Sequence, residues 1–449
     1  MALGTWCKTR FDSLLFAIFA YVIAKTGGHF DAGLVGVCFL GFVYFCWARF
    51  NRIESYFTKK LAVGCAITFC TRLYHRPGVV YSVEGPAFWF ISKLLLVTLF
   101  CLIISGLLEF RGGKYRTTSN YLKVFSLFSI SLVYFLVPHA NPNPFIDVFR
   151  TNNLAVDYLV RGMNPYAQTY PDIYNGVYDY KPAVAYFPGF FYFFVPFKLL
   201  TGDIRFALVV GVLFTAVFLY KIARHLSRDR EISLWISLCW LCFPTGLFIV
   251  EEGFLDPLLT MVASMLVWKM LRQQWITVGI LVGIILALKQ YGVLILPVLV
   301  GWFFFKRQYS ELVKVLGLGL LVFILLCSPF VIWGPEEFYF STVRQIVTQQ
   351  PRLDSFSIVA FLGRNIAISK IGKLVVVLSL SIFFVVGLMF SRIKELTVVD
   401  FVSALAVVHG WVFFWGKQAF ANYYYYFFLF FFVFLIFGIR GQSEVECTV

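Results

Sequence analysis

Charge is what this chain lacks first. Asp, Glu, Lys and Arg make up 14% of its 449 residues, against about 25% in ordinary soluble domains. A soluble fold has too little polar surface to draw on at that level. Period-two alternation is missing as well: runs such as "LVFILLCSPFVIW" (321–333) show none, which excludes a membrane β-barrel. There is no G-x-x-x-x-G-K-[ST] loop and no G-x-G-x-x-G fingerprint. A resident nucleotide domain is therefore excluded, and any activated donor must come from outside or from the lipid. Acidic residues are scarce, 23 against 38 Lys and Arg, for a net charge of +15. The basic residues sit in short loops between apolar runs, the positive-inside pattern with attraction to anionic headgroups, so no nucleic-acid partner is expected. Cysteine is not rare, but Cys38, Cys46, Cys101 and Cys327 lie inside apolar runs. "CWLC" (239–242) has Leu, Trp and Phe for neighbours where a redox or metal motif needs polar ones.

What is present is hydrocarbon-compatible sequence. Hydrophobic residues make up 60% of the chain, and Phe alone occurs 54 times. A helix crosses the bilayer core with about 20 apolar residues. The runs at 11–25, 31–48, 87–108, 121–137, 206–223, 232–250, 257–271, 275–288, 291–305, 312–333, 371–390, 398–415 and 421–438 predict an all-α, polytopic transmembrane protein of about 12–14 spans, with 61–74 as a weaker candidate. "FDSLLFAIFAYVIA" (11–24) runs on into another span and reads as an anchor rather than a cleavable leader. Basic loops at 111–116, 223–230, 269–274, 306–314 and 391–395 are assigned to the cytosol. The loops at 138–205, 251–256, 289–290, 335–370 and 416–422 then lie outside. That assignment requires "AVAYFPGFFYFFVPFKLL" (183–200), with Pro188 and Pro196, to lie in the interface or re-enter rather than cross. The alternative is that it crosses and one basic loop is external. The parity of residues 1–86 stays open, because Arg72, His75 and Arg76 interrupt a return crossing.

The unusual polar residues fall on the external side. "VFRTNNLAVDYLVRG" (148–162) has helical periodicity and stops at Gly162, with "NPY" (164–166) turning the chain. This predicts an amphipathic helix on the membrane with Asp147 at its start. An Asp there is held ionised by the free N–H groups and the helix dipole, as a general base requires; capping alone would also explain it. "EEGFLDP" (251–257) ends an apolar span with Glu251, Glu252 and Asp256, the last placed as an N-cap before Pro257. Acids at membrane depth cost about 2.5–3.5 kcal/mol each and usually face an aqueous cavity or a cation. "ALKQYG" (287–292) sets Lys289 and Gln290 between apolar runs, where Lys289 either snorkels to the interface or awaits a phosphate. "WGKQAFANYYYY" (415–426) adds Lys417, Gln418 and Asn422, and its tyrosines read as an aromatic belt or as a sugar-stacking surface. "FSTVRQIVTQQPRLDSFS" (340–357) carries Arg344 and Arg352, suited to phosphate or to lipid headgroups.

The order of these features resembles the GT-C superfamily of integral-membrane glycosyltransferases, in particular its polyprenol-phosphate-mannose-type branches. The residues that carry the likeness are Asp147 in the first large external loop, then "NNLAVDYLVRG" and "GMNPY". The aromatic segment "YKPAVAYFPGFFYF" (180–193), "EEGFLDP" and "LKQYGVLILP" (288–297) follow in the same order. The likeness covers about residues 121–438. Two departures are visible: a single Asp at 147 where metal-dependent relatives pair two acids, so no metal or other cofactor is carried over, and "EEGFLDP" in place of a Gly/His–x–Asp. The resemblance implies an inverting transfer of a sugar, mannose first, from a polyprenyl phosphate to an acceptor hydroxyl of a lipid, glycan or protein. Asp147 would be the base. Lys289, Gln290, Lys417, Gln418, Asn422, Arg344 and Arg352 would meet the donor phosphate, and Asp256, Glu251, Glu252 and Asp157 would orient the acceptor. Residues 1–120 would be N-terminal spans of unassigned role, 121–270 the catalytic-type core, and 271–449 the region forming the lipid-donor groove. The plasma membrane of a bacterium or archaeon is the expected location, with the endoplasmic reticulum as the alternative. A transporter or lipid flippase is the rival class, and it would call for an internal repeat of broken helices, which the sequence does not show.

Overall fold

The protein is described by a computed structural model over residues 2–53, 55, 57–75, 85–111, 115–178, 181–364, 366 and 368–439, with backbone alone for 2–10 and 368–374. Arg76, residues 112–114 and Tyr180 of the stretches discussed above lie outside the described residues. Among the described residues there is no strand, only an isolated bridge between His29 and Ser355. The first helices are α1 (Ala2–Thr26), α2 (Ala32–Phe50), α3 (Lys59–His75), α4 (Pro86–Phe110), α5 (Arg116–Ala140), α6 (Asp147–Val160), α7 (Gly189–Thr201), α8 (Arg205–Ser227), α9 (Arg230–Leu241) and α10 (Gly246–Glu251). They are followed by α11 (Asp256–Leu271), α12 (Trp275–Leu288), α13 (Ile295–Phe305), α14 (Tyr309–Trp333), α15 (Pro335–Tyr339), α16 (Gln345–Thr348), α17 (Ile358–Gly363), α18 (Ile368–Ser391), α19 (Val398–Phe414) and α20 (Ala421–Phe437).

Among the described residues five helices, α2, α4, α5, α8 and α14, are long and apolar enough to cross a membrane, and several further apolar helices are shorter. Most of the other predicted spans are helical as well but shorter than that length, as in α12, α19 and α20, and two are interrupted. The run 232–250 is broken after Leu241 by a turn containing Pro244, which cannot continue a helix. The run 291–305 begins as a 3₁₀ turn, Gln290–Leu294, after Lys289 adopts an extended conformation. The weak candidate 61–74 is helical throughout as α3.

Two ends of the bundle differ in kind. At one end, Glu231 pairs with Lys59 and Arg116, and Lys123 pairs with Glu109, which also accepts from Trp235 Nε1 at 2.8 Å. There too Lys306 donates to Leu396 O at 2.9 Å, and Arg392 stacks on Phe50. The basic loops assigned to the cytosol thus gather together, as the positive-inside rule requires. At the other end Phe30 N donates to Asp354 O and Phe356 N to both Gly28 O and Ala419 O. The loops assigned to the outside meet there. The parity of the N-terminal region follows from the same contacts: Arg72 near the end of α3 donates to Ala24 O near the end of α1, so α1 and α3 run in the same direction.

Helix α7 starts and finishes at the polar end. Just before it, Ala185 O accepts from Gln290 at 2.6 Å; just after it, Arg205 donates to Asn141 O at 2.7 Å. Thirteen residues reach only about 20 Å, short of the roughly 30 Å hydrocarbon core. The segment 183–200 therefore does not cross. It lies close to α12, because a Cβ at Gly189 would meet Ala287 O at 2.5 Å.

At the centre stands α20, with its residues from Tyr424 to Ile436 buried. Phe432 stacks on Phe16 and approaches Trp240, and Phe431 packs on Phe45. This corrects the aromatic-belt reading of "YYYY": Tyr424, Tyr425 and Tyr426 are core residues at 0–1% exposure, not an interface belt. Lipid-facing surface comes instead from α4, α5 and α14, which expose Trp89, Phe100, Leu107, Phe128, Leu320 and Ile332.

Candidate active site

The polar end holds two groups of side chains, joined by the turn between α10 and α11. The turn forms because Gly253 takes φ +72, a left-handed conformation that suits glycine, and because Phe149 lies against it, 3.1 Å from where a Cβ would stand. Leu255, not Asp256, occupies the cap of α11; Asp256 is the first helical residue and Pro257 the second, a one-position shift from the expectation.

The first group centres on Asp256. Its Oδ2 accepts from Lys289 Nζ at 3.0 Å and from Asn422 Nδ2 at 3.2 Å, and the Tyr291 hydroxyl donates to Oδ1. The Lys289 ammonium also faces the rings of Tyr291, Tyr186 and Tyr423 at 4.8, 5.1 and 5.2 Å, a cation–π cage. Both charges are buried, Asp256 at 0% and Lys289 at 3% exposure. A buried pair of this kind holds only because each charge compensates the other and further donors satisfy the carboxylate. Lys289 therefore does not snorkel. Gln290, beside it, ties Ala185 O and Thr342 O together at 2.6 and 3.1 Å, joining the loop before α7 to the turn after α15.

The second group centres on Arg205, which sequence reasoning missed. Its guanidinium, fully buried, donates to the Asn141 and Glu251 carbonyls from Nη1 and to the Pro138 and Pro142 carbonyls from Nη2, and forks onto Asp203. It stacks on Phe149 at 4.5 Å. Asn141 donates to Glu251 Oε1 at 2.8 Å. One cation thus holds the end of α5, the start of α6, the start of α8 and the end of α10. Asp147 opens α6, with Ile146 at the cap position, and its Oδ1 accepts from Val148 N at 2.8 Å. It is half-buried, whereas Glu251 and Glu252 are buried. Gly162, at φ +74, follows the end of α6 as expected, and Asn164 caps the Pro165–Ala167 turn through Tyr166 N.

Glu252 is the odd member. Its Oε1 is buried and finds no hydrogen-bond partner. Burial first, then the neighbouring Glu251 and Asp147, push its carboxyl up from 4.5 to about 8, with Arg205 pulling the other way. An acid whose pKa is raised on folding contributes stability that is present below its unfolded value and is lost as pH rises through the folded one. Thermal stability in detergent is thus expected to decline from pH 4.5 towards 8. Glu252→Gln should flatten that decline, and an unchanged slope would show that Glu252 is not the titrating group.

The other predicted site residues do different work. Lys417 Nζ donates to Val347 O at 2.6 Å and Gln349 O at 3.2 Å, and Arg352 N donates to Lys417 O at 2.8 Å, so these two secure the 340–357 loop. The Arg352 guanidinium forks onto Asp354 at 2.8 and 2.7 Å. Gln418 is hydrogen-bonded to the Tyr423 hydroxyl. Arg344 is exposed at the end of a π-helical turn, Phe340–Arg344. Asp157 pairs with Lys198 at 3.2 Å, tying α6 to α7; ten residues along the helix set it about 15 Å from Asp147. Cys239 and Cys242 are buried. Among the described residues no group of three or more His, Cys, Asp and Glu side chains converges as a metal site.

An apolar groove of about 350 Å³ opens beside this end, lined by Leu159 and Val160 of α6, Phe191, Tyr192, Val195 and Pro196 of α7, and Phe330 of α14. Phe191 of α7 lines the groove, and Tyr186, just before that helix, lies against the Lys289 ammonium.

Residues 185–433 match the model of glycosyltransferase family 87. The match takes in Glu251, Glu252, Asp256, Lys289, Arg205 and Asn422, and begins after Asp147. No curated protein and no solved structure matches the chain.

Proposed function

The chain belongs to glycosyltransferase family 87, a GT-C-type family of membrane glycosyltransferases, and from that premise we propose that it moves a sugar, mannose first, from a polyprenyl phosphate to an acceptor hydroxyl at the non-cytoplasmic face, with inversion. One observation carries the residue assignment. Of the five acids gathered around the turn, Glu251, Glu252 and Asp256 are buried and Asp203 is held in the Arg205 fork, which points to the half-buried Asp147 as the acid that meets an incoming hydroxyl. The acceptor oxygen attacks the anomeric carbon as the bond from that carbon to the phosphate oxygen breaks. The hydroxyl proton passes to the Asp147 carboxylate, and polyprenyl phosphate leaves with the bonding pair.

Lys289, buried and already paired with Asp256, adds its field to the departing phosphate from behind the wall of the site rather than by contact. Fixed charges in a water-poor site are usually the largest single contribution to such a step. Arg344, two residues beyond the carbonyl that Gln290 holds, is the second cation in reach of the loop. The groove between α6, α7 and α14 supports a lipid-linked donor, since a polyprenyl tail needs an apolar channel beside the reacting headgroup. The acceptor is a lipid, glycan or protein carrying a free hydroxyl, and the membrane is the plasma membrane of a bacterium or archaeon.

The donor choice is tested by supplying labelled mannose to the protein in lipid nanodiscs, once as polyprenyl phosphate and once as a sugar nucleotide. Label is expected in product from the lipid-linked donor alone. Transfer from the nucleotide would overturn the donor assignment.

A further inference from the structure

A second cavity lies at the polar end, outside both groups of buried charges. It measures about 410 Å³, within the size range of small-molecule sites. Val177 and Tyr178 form one wall, the Gln349–Asp354 stretch the other, and Arg364 the end. None of these residues is used by the reaction proposed above; Arg352, which the sequence suggests as a phosphate ligand, is turned towards Asp354.

The lining is fixed before any ligand arrives. Arg352 is held between the rings of Tyr178 and Phe420, 3.7 and 5.0 Å from their centroids, with its edge forked onto Asp354. Arg364 lies over Phe30 at 4.0 Å and donates to Leu353 O from Nε and Nη2. Gln349 is anchored through its carbonyl by Lys417, and Pro351 stiffens the stretch of chain between them. The cavity is also wired to the reaction centre. Arg352 N holds Lys417 O, Phe356 N holds Ala419 O, and a few residues on Asn422 binds Asp256.

The donor and acceptor mix indicates the ligand class. Planar amides, a carboxylate and a tyrosine present both hydrogen-bond signs within one small space, between arginines fixed on Asp354 and Leu353 O. Vicinal hydroxyls, each donor and acceptor at once, match that mix. A phosphate does not: Asp354 would stand beside it as a like charge and already occupies the Arg352 fork. We propose that this cavity binds the acceptor's glycan, as a subsite that seats sugar units behind the hydroxyl presented to Asp147. The proposal rests on the transferase reading for its role but not for its binding.

The test separates the two. Fluorescently labelled mannotriose and maltotriose are titrated against the full chain in nanodiscs, with Gln350→Ala, Arg364→Ala and Asp147→Asn alongside. At least one trisaccharide is expected to bind the wild-type protein, to bind about tenfold more weakly to Gln350→Ala and Arg364→Ala, the loss of about one hydrogen bond's worth of affinity, and to bind Asp147→Asn unchanged. Gln350 is exposed, so its variant keeps the fold. Absence of binding by the wild-type protein, wild-type affinity in both cavity variants, or displacement by inorganic phosphate as effective as by unlabelled sugar would each overturn the assignment. Failure of the transferase reading shows elsewhere, as transfer that survives in Asp147→Asn.

Discussion

Asp147→Asn is expected to lower sugar transfer by about 10²–10⁴-fold, the range that a positioned general base supplies, while leaving the thermal unfolding temperature within error of the wild type. The choice of Asn separates the two readings of this residue. Ile146 holds the cap position of α6, so the local role of Asp147 is to accept from Val148 N, and an Asn amide oxygen can keep that bond. If Asp147 only steadies the first turn of α6, Asn is silent in both assays. If it takes the acceptor's proton, Asn fails, because an amide has no basic lone pair at neutral pH. Asp147→Ala adds the missing comparison: it should lose the same activity and also about 0.3–1 kcal/mol of stability, through the acid lost from the first turn of α6. Glu252 is a poor replacement in the Asn variant, since burial and Glu251 still hold its carboxyl above its ordinary value. Wild-type turnover by Asp147→Asn would remove the base and leave the family assignment without a catalytic residue.

The architecture is legible in the sequence where physics acts locally. Hydropathy marks which stretches are helical, and basic loops mark which ends lie together, because insertion responds to both. Asp147 at a helix start and Gly162 after its end can be read from a single turn of sequence. Reading fails where identity and environment part company. A run such as "YYYYFFLFFF" has no polar face, and an apolar helix facing lipid and one wrapped by protein show the same pattern; only packing reveals α20 as the centre. Pro244 is a visible breaker inside a predicted span, yet the length of the apolar run outweighs it. Pairing across the chain is invisible: nothing in the spacing couples Asp256 to Lys289, so sequence alone gives them separate roles instead of one. Lys417 and Arg352 look like phosphate ligands because a cation's charge is legible and the carbonyls it binds are not. Arg205 escapes notice because "GDIR" (202–205) reads as a loop ending before an apolar run.

That same residue carries the second large effect. Arg205→Met is expected to cost about 3–5 kcal/mol, as is usual when a buried ionic network is broken from one side. The guanidinium is fully buried and donates to four backbone carbonyls besides Asp203. Methionine fills part of the volume but leaves the carbonyls and the Asp203 carboxylate without donors. Arg205→Lys isolates geometry from charge: an ammonium is a single point and cannot serve α5, α8 and α10 at once as a planar fork does. Lys should therefore recover part of the stability and little of the transfer rate, since Asp147 is placed through Phe149, on which the guanidinium stacks. The pH profile distinguishes this from a general loss of packing. Arg205 holds the Glu252 proton affinity down, so in Arg205→Met the decline in stability should extend to higher pH and its midpoint move upward, whereas Arg205→Lys should leave it near the wild-type position. Thermal unfolding across pH in detergent reads both. An unmoved midpoint in Arg205→Met would mean that the cation is only filler, and that α6 takes its position from something else.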